Sequence, residues 1–338
     1  MPRNAMLAAI AIGCALSASA DAAAEPTTLK VGATMPPMSS VIAEGYVPWL
    51  RAIEKDAPGA IKFQEFWGGA LVRAPDKQFE AMMNGIMDST VIVTSYTQKL
   101  FPDFSLFSIP YVVDGATEAA VGGWRLYERG LLRGLEKVYV AAIFSNDNGG
   151  LHLRSRVKSL DDVKGLKIRV SGPEEAEIVK AMGAVPVGLG IPTTADALNR
   201  GVVDGTFNGW AANQSFRITP LIKTHIDVPF GVRSFFIAIN REVYDKLPAS
   251  ARAAIGKHSG RDFSIRFGRV MDKTGEPLRK EALADPNRTV LRPSEAQAKA
   301  LEAKFMGFHK QWIEETPDGA RKYREVKDAV AEFRRRSS

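Results

Sequence analysis

Two residues have the type and placement to hold a small anionic ligand. Arg169 stands at the end of the strand-like run Leu166–Val170, where open α/β sheets place their ligands. Its planar guanidinium can meet a carboxylate through two parallel hydrogen bonds, a geometry that lysine cannot copy. Asn208 directly follows the second run, Val202–Phe207, and offers amide donors and a carbonyl acceptor together. Each has an ordinary alternative: a solvated strand-end arginine, and a turn residue after Asp204-Gly205. Catalytic patterns are missing. The four histidines, His152, His225, His258 and His309, are scattered, with no His-Glu-x-x-His pair to hold zinc. The single cysteine is Cys14, there is no G-x-S-x-G elbow, and Gly188-Leu-Gly190 lacks the third glycine of a dinucleotide loop. Asn213 and Asn287 match a glycosylation pattern that arises by chance. The residues imply no metal and no cofactor.

The elements that must carry these side chains read as mixed α/β. Thr28–Thr34, Ala60–Phe66 and Asp88–Thr94 alternate or are β-branched and read as strands, with helical stretches at Ser39–Lys55 and Gln78–Asn84 between them. Pro48 predicts a kink or a delayed start in the first helix. This β–α–β–α–β order predicts parallel pairing. Thr117–Lys137 reads as helix and Val138–Phe144 as a buried strand. The polar, Gly-rich Asp147–Gly150 is a crossing point between domains. Ser159–Asp162 reads as a capped helical turn. Strands follow at Leu166–Val170, Val185–Leu189, Val202–Phe207 and Phe235–Asn240, with helices at Glu174–Met182 and Thr194–Leu198. From Arg241 onward the pattern is almost wholly helical, the Ala249–Leu283 stretch being interrupted only by glycines and Pro277.

Length and composition set the frame. Arg3, the apolar run Ala5–Leu16 and the small-residue sites Ala18-Ser-Ala20 and Ala22-Ala-Ala24 have the layout of a secretory signal peptide over residues 1–24. That run is too short to span a bilayer, which takes roughly 20 apolar residues. Cys14 only loosely fits a lipid-attachment site. Cleavage after Ala24 leaves a chain with no cysteine, so the core alone must stabilise it. The rest of the 338 residues suggests two domains. The formal charge of +7 is interspersed with acids except at Arg334–Arg336. It reads as solubility and a mild pull on anions rather than nucleic-acid binding.

Several segments, in order from Thr28 to about Ile255, resemble one family. They are Asp162 with Lys164-Gly-Leu-Lys-Ile-Arg-Val170, then Gly183-Ala-Val-Pro186; Ala197-Leu-Asn-Arg-Gly-Val-Val-Asp-Gly-Thr-Phe-Asn208; and Gln78–Asp88. Phe107-x-Ile-Pro-Tyr111 and Phe236–Asn240 with Tyr244 and Leu247-Pro248 also fit. Each is weak alone; together they resemble the dicarboxylate-binding (DctP-like) substrate-binding proteins of tripartite ATP-independent periplasmic (TRAP) transporters. The resemblance implies a two-lobed periplasmic binding protein fold with hinge strands near Asn148 and Arg233 and long bracing C-terminal helices. Residues 25–147 with 234–273 form one lobe, and residues 148–233 with 274–338 the other.

It also implies that Arg169 binds the substrate carboxylate, with Asn208 beside it, and that a TRAP membrane permease receives the ligand. The chain is expected to be a periplasmic monomer and not an enzyme. Three departures bear on the ligand. Phe207 stands where the family usually has Glu, Val93 and Tyr96 where sialic-acid binders carry Glu and Arg, and Gly150 where many members have a further arginine. The expected pocket is less polar than a sugar-acid site, with Trp67, Tyr96, Phe207 and Trp210 as aromatic walls and an apolar or aromatic monocarboxylate as ligand. The alternatives are a C4-dicarboxylate, its second charge met by Arg154 or His152, a sugar acid, a secreted hydrolase, and a binding partner of a sensor.

Overall fold

The computed structural model describes residues 25–228 and 230–337; the expected leader and Cys14 lie outside them. β1 (Thr27–Gly32), α1 (Val47–Asp56), β2 (Ile61–Phe66), α2 (Gln78–Met83) and β3 (Ser89–Val93) open the chain, and α3 (Ala116–Glu128) leads into β4 (Val138–Ser145). The chain then crosses into β5 (Gly149–Leu153), β6 (Lys167–Val170), α4 (Pro173–Ala181), β7 (Val185–Gly188), α5 (Thr194–Asn199), β8 (Gly205–Gly209), α6 (Trp210–Ser215) and β9 (Thr224–Ile226). It returns through β10 (Ser234–Asn240), α7 (Arg241–Lys246) and α8 (Ala249–His258), and ends with α9 (Arg261–Ala284), β11 (Thr289–Leu291), α10 (Glu295–Glu315) and α11 (Gly319–Ser337).

Two sheets result. The first has the order β2-β1-β3-β10-β4 and the second β11-β9-β5-β8-β6-β7. β1, β2 and β3 pair in parallel, as βαβ units require, and β10 joins antiparallel to β3 and β4. The central strand β3 is covered on both faces and its five residues are all buried, while β1 and β2 toward the edge keep exposed polar residues. The two crossings run side by side as a hinge: Asn146 N–H donates to Arg233 O at 3.1 Å, and Gly149 N–H to Gly231 O at 2.9 Å.

Local chemistry explains the element ends. Pro48 sits in the first turn of α1, where its missing N–H costs nothing, and the preceding turn Val41–Tyr46 is wound wider as a π-helix. The long helix expected over Ala249–Leu283 is divided at Ser259-Gly260, where Gly260 takes φ 102°, while α9 runs through Pro277 unbroken. Ser159 and Asp162 form a reciprocal cap on a short 3₁₀ turn, so Asp162 of the signature segment has a structural task.

One boundary differs from expectation. Helix α11, expected with the second lobe, packs on α3 of the first, with Val326 and Val330 in that lobe's core. Helix α10 bridges the two, placing Phe305 in the second lobe's core and Trp312 in the first's. The reason is polar as well as apolar. Lys322, 3% exposed, donates to the fully buried Asp103 at 2.6 Å, and Arg125 pairs with Glu332 at 2.7 Å.

Candidate functional site

Strand alternation in the second sheet builds the site. Successive side chains point to opposite faces. Ile168, Val170, Leu151 and Phe207 enter that lobe's core, while Arg169, Thr206 and Asn208 share the other face, which looks toward the first lobe. Arg169 is fully buried. Its Nε donates to Leu189 O at 2.8 Å, Nη1 to Asn208 Oδ1 at 2.9 Å, and Nη2 to the Tyr96 hydroxyl. Asn208 uses its amide as a donor to Thr206 Oγ1 at 3.0 Å and Asn213 Oδ1 at 3.2 Å. Tyr96 reaches across from the first lobe and also accepts from Ile191 N–H at 3.0 Å. With two donors already on its oxygen, its own O–H proton is left for a third partner.

A second arginine completes the cluster. Arg233, at the returning hinge strand, is buried and paired through Nε and Nη2 with Glu175 in the first turn of α4; Nε also donates to Ser171 Oγ at 2.8 Å. Both guanidinium groups approach Phe207 O, at 3.5 Å from Arg169 and 3.4 Å from Arg233. Burial draws Arg169 below its ordinary value, and the nearby Arg233 charge acts in the same direction. Burial works against Arg233 too, but the Glu175 carboxylate outweighs it and raises that group. Two guanidinium groups thus face one paired carboxylate.

Beside them lies a cavity of about 60 Å³ between the lobes. Met35, Val93, Phe235 and Met271 give it apolar walls, and Tyr96, Arg233, Asp147 and Ser39 give it polar ones. The lobes are closed on it: besides Tyr96–Arg169, Gln98 of the first lobe donates to Glu174 of the second. Ligand pockets commonly run to about 300 Å³ or more, so entry requires the lobes to part. Burial pushes Glu174 up to about 7 and Asp147 likewise to about 7.

The other expected site residues lie elsewhere. Phe207 does not wall the cavity; as the neighbour of Asn208 on β8 it must face the core, where it packs against Phe230 at 5.6 Å. Only its carbonyl reaches the arginines. Trp67 packs on Tyr46 at 5.2 Å and donates to Glu65 at 2.9 Å. Arg154 is spent at the far end of the lobe on Leu198 O, 3.3 Å away, and on Asp204. Trp210 stacks on His225 at 4.4 Å and borders a separate cavity behind the hinge. Arg233, Glu175 and Asp147 were missed. The available signal was Glu175 six residues beyond Arg169, but an acid in a helix's first turn has a dipole reason of its own.

His152 lies beneath the site. Its Nε2 donates to Asn208 O at 3.1 Å, so its Nδ1 must accept from His225 Nδ1, 2.7 Å away. Burial lowers His152 to about 4 and His225 to about 2. The unfolded chain therefore takes up protons below its histidine value of about 6.5 while the folded pair does not. This contribution to stability falls as pH drops from about 6.5 to about 4. Asp147 and Glu174, raised in the fold, act with the opposite sign, so comparison with a variant lacking His152 isolates that residue's share. Between those pH values the wild type is expected to lose on the order of 2–4 kcal/mol relative to His152→Gln in urea unfolding. Parallel pH curves for the two proteins would contradict the assignment.

Two α/β lobes, two hinge crossings and a closed cavity floored by a buried arginine define a two-lobed solute-binding protein. Residues 32–315 match the family "Bacterial extracellular solute-binding protein, family 7" (DctP), and the chain belongs to it. It is 24% identical over 341 residues to the C4-dicarboxylate-binding periplasmic protein DctP of Rhodobacter capsulatus, covering 97% of this chain and 98% of that protein. A solute-binding protein of Albidiferax ferrireducens is 28% identical over 207 residues, 59% of this chain and 60% of that protein. In structure it resembles a TRAP solute-binding protein from Rhodoferax ferrireducens in complex with copurified benzoate, with TM-score 0.85, 24% identity, and 92% and 100% of the two chains covered. Among the described residues no three His, Cys, Asp or Glu side chains are placed to hold a metal ion, and no helix is long and apolar enough to cross a membrane.

Proposed function

We propose that this protein captures an organic monocarboxylate with an apolar or aromatic body in the periplasm and delivers it to a TRAP membrane permease. The observation that carries this reading is the charge count at the inter-lobe cluster, where Arg233 lines the cavity and Arg169 adjoins it through Tyr96. Arg169 and Arg233 are both buried and only Glu175 pairs with them, so one ligand carboxylate balances the site. Asp147, held near 7, supplies only part of a second negative charge. The Tyr96 O–H is the natural further donor to that carboxylate.

A C4-dicarboxylate, as in the name of the Rhodobacter relative, needs a second cation. Neither residue expected for it serves: Arg154 is held at Leu198 and Asp204, and burial keeps His152 neutral. The apolar walls Phe235, Met271 and Val93 favour a ring or hydrocarbon body, at about 25 cal/mol per Å² of apolar area buried. The benzoate bound by the Rhodoferax relative supports the same chemistry. His152 offers the hydrolase reading no base, since it engages both its nitrogens with Asn208 and His225.

A thermal-shift screen of purified protein against a broad panel of organic acids tests the proposal. A ligand at 100 times its dissociation constant stabilises by about 2.7 kcal/mol, so aryl and alkyl monocarboxylates are expected to raise the melting temperature. Stabilisation by sugars or amines alone would overturn it.

A further inference from the structure

We propose that the ligand carries one hydroxyl group besides its carboxylate, and that Asp147 and Ser39 hold that hydroxyl. This rests on the organic-acid reading above and deepens it. Both residues line the inter-lobe cavity, Ser39 from the segment before α1 and Asp147 from the hinge. They are 4% and 5% exposed, and Ser39 Oγ and Asp147 Oδ1 have no hydrogen-bond partner in the closed protein. An unpaired buried polar atom is costly enough to call for an occupant.

Asp147 cannot turn away to find another partner. Its Oδ2 accepts from Trp210 N–H at 2.7 Å and Ala211 N–H at 3.4 Å. Two glycines press on the carboxyl group: a Cβ on Gly209 would lie 2.2 Å from Oδ1, and one on Gly275 would lie 2.3 Å from Oδ2. The group is thus clamped with one oxygen satisfied and one left over.

The chemistry of the leftover atoms selects the partner. Burial, with the Asp272 charge adding to it and the α6 amides opposing it, pushes Asp147 to about 7, so acid and carboxylate forms coexist near neutrality. A hydroxyl donates to one form and accepts from the other, as it does with Ser39; a carbonyl or an ammonium suits only one. A second ligand carboxylate would face the Asp147 charge. Thr34, Ser40, Asn146 and Ser215 also line the cavity, but among its lining side chains Asp147 Oδ1 and Ser39 Oγ are the buried atoms left without a partner, which points to one hydroxyl at this place.

The test is calorimetric titration near neutral pH with matched pairs: benzoate against 3- and 4-hydroxybenzoate, and phenylacetate against mandelate. Wild type, Asp147→Asn and Ser39→Ala are compared, each checked for cooperative unfolding. In the wild type at least one hydroxylated member is expected to bind about tenfold or more tightly than its parent, as one buried hydrogen bond warrants. That ratio is expected to fall several-fold in one or both variants. Equal affinities within every pair would show that water completes these atoms, and would overturn the inference while leaving the organic-acid reading intact. So would a ratio that survives both substitutions; if Asp147→Asn fails to fold, the pairs and Ser39→Ala decide. No binding by any of these acids would overturn both readings.

Discussion

Arg169→Ala is expected to weaken binding of the organic acid at least about tenfold, and by about a hundredfold or more if both guanidinium hydrogen bonds are lost. Each hydrogen bond to a charged group contributes about 1.5–3 kcal/mol. Arg169 is fully buried, so its charge is not screened by solvent as a surface arginine's would be. The substitution also strips Asn208 Oδ1 and Leu189 O of their donor, so some loss of stability accompanies it. Arg169→Lys separates the two effects: it keeps a cation in the cleft but loses the fork, and is expected to restore only part of the affinity. Calorimetry on folded protein checks both. Unchanged affinity in Arg169→Ala would remove this residue from the site.

The largest effect on stability is expected far from the cleft. Asp103 is fully buried and accepts from Arg133 through its backbone N–H at 2.8 Å, Nε at 3.0 Å and Nη2 at 2.7 Å, and from Lys322 at 2.6 Å. Asp103→Ala leaves the Lys322 ammonium buried without its counter-charge. Removing one partner of a buried pair costs about 3–5 kcal/mol. Urea unfolding of the variant is expected to show a loss of that size, and a loss under about 1 kcal/mol would contradict the account. Arg133→Ala is expected to cost less, since Lys322 still neutralises the carboxylate. Burial alone would raise Asp103, but Arg133 and Lys322 outweigh it and hold the group below its ordinary value. A depressed carboxylate contributes stability above its unfolded value near 3.8 that is lost as pH falls through its folded value. Acid is therefore expected to loosen α11 from the first lobe.

Much of the fold is legible in the sequence because its signals are local. The parallel pairing of β1, β2 and β3, the Pro48 helix start, the Asp147–Gly150 crossing and the Ser159 cap all follow from residues close together in the chain. Helix α11 was misplaced because an amphipathic helix announces a buried face but not the surface that covers it. Asp103 and Lys322, more than two hundred residues apart, decide that question. The three-residue strand β11 is too short to carry a periodic signal.

The candidate site divides the same way. Arg169, Asn208 and Tyr96 meet, and nothing in the local sequence joins Tyr96 to the other two. Phe207 is a different kind of miss: naming both Phe207 and Asn208 as cleft residues conflicts with the alternation of a strand, which was readable from the outset. Arg233 and Glu175 escaped notice because a hinge-flanking arginine and an acid at a helix start each have an everyday explanation. Only their meeting, buried beside Arg169, gives the site its charge balance.

The most direct test of that balance is parallel calorimetric titration of the purified protein with an aryl monocarboxylate, succinate and glucuronate. The account predicts saturable binding of the aryl acid and binding of the other two weaker by about a hundredfold or more: succinate would bury a second, uncompensated charge, and glucuronate would bury a row of hydroxyls without partners, each costing several kcal/mol. Tight binding of succinate or glucuronate, with none of the aryl acid, would contradict it.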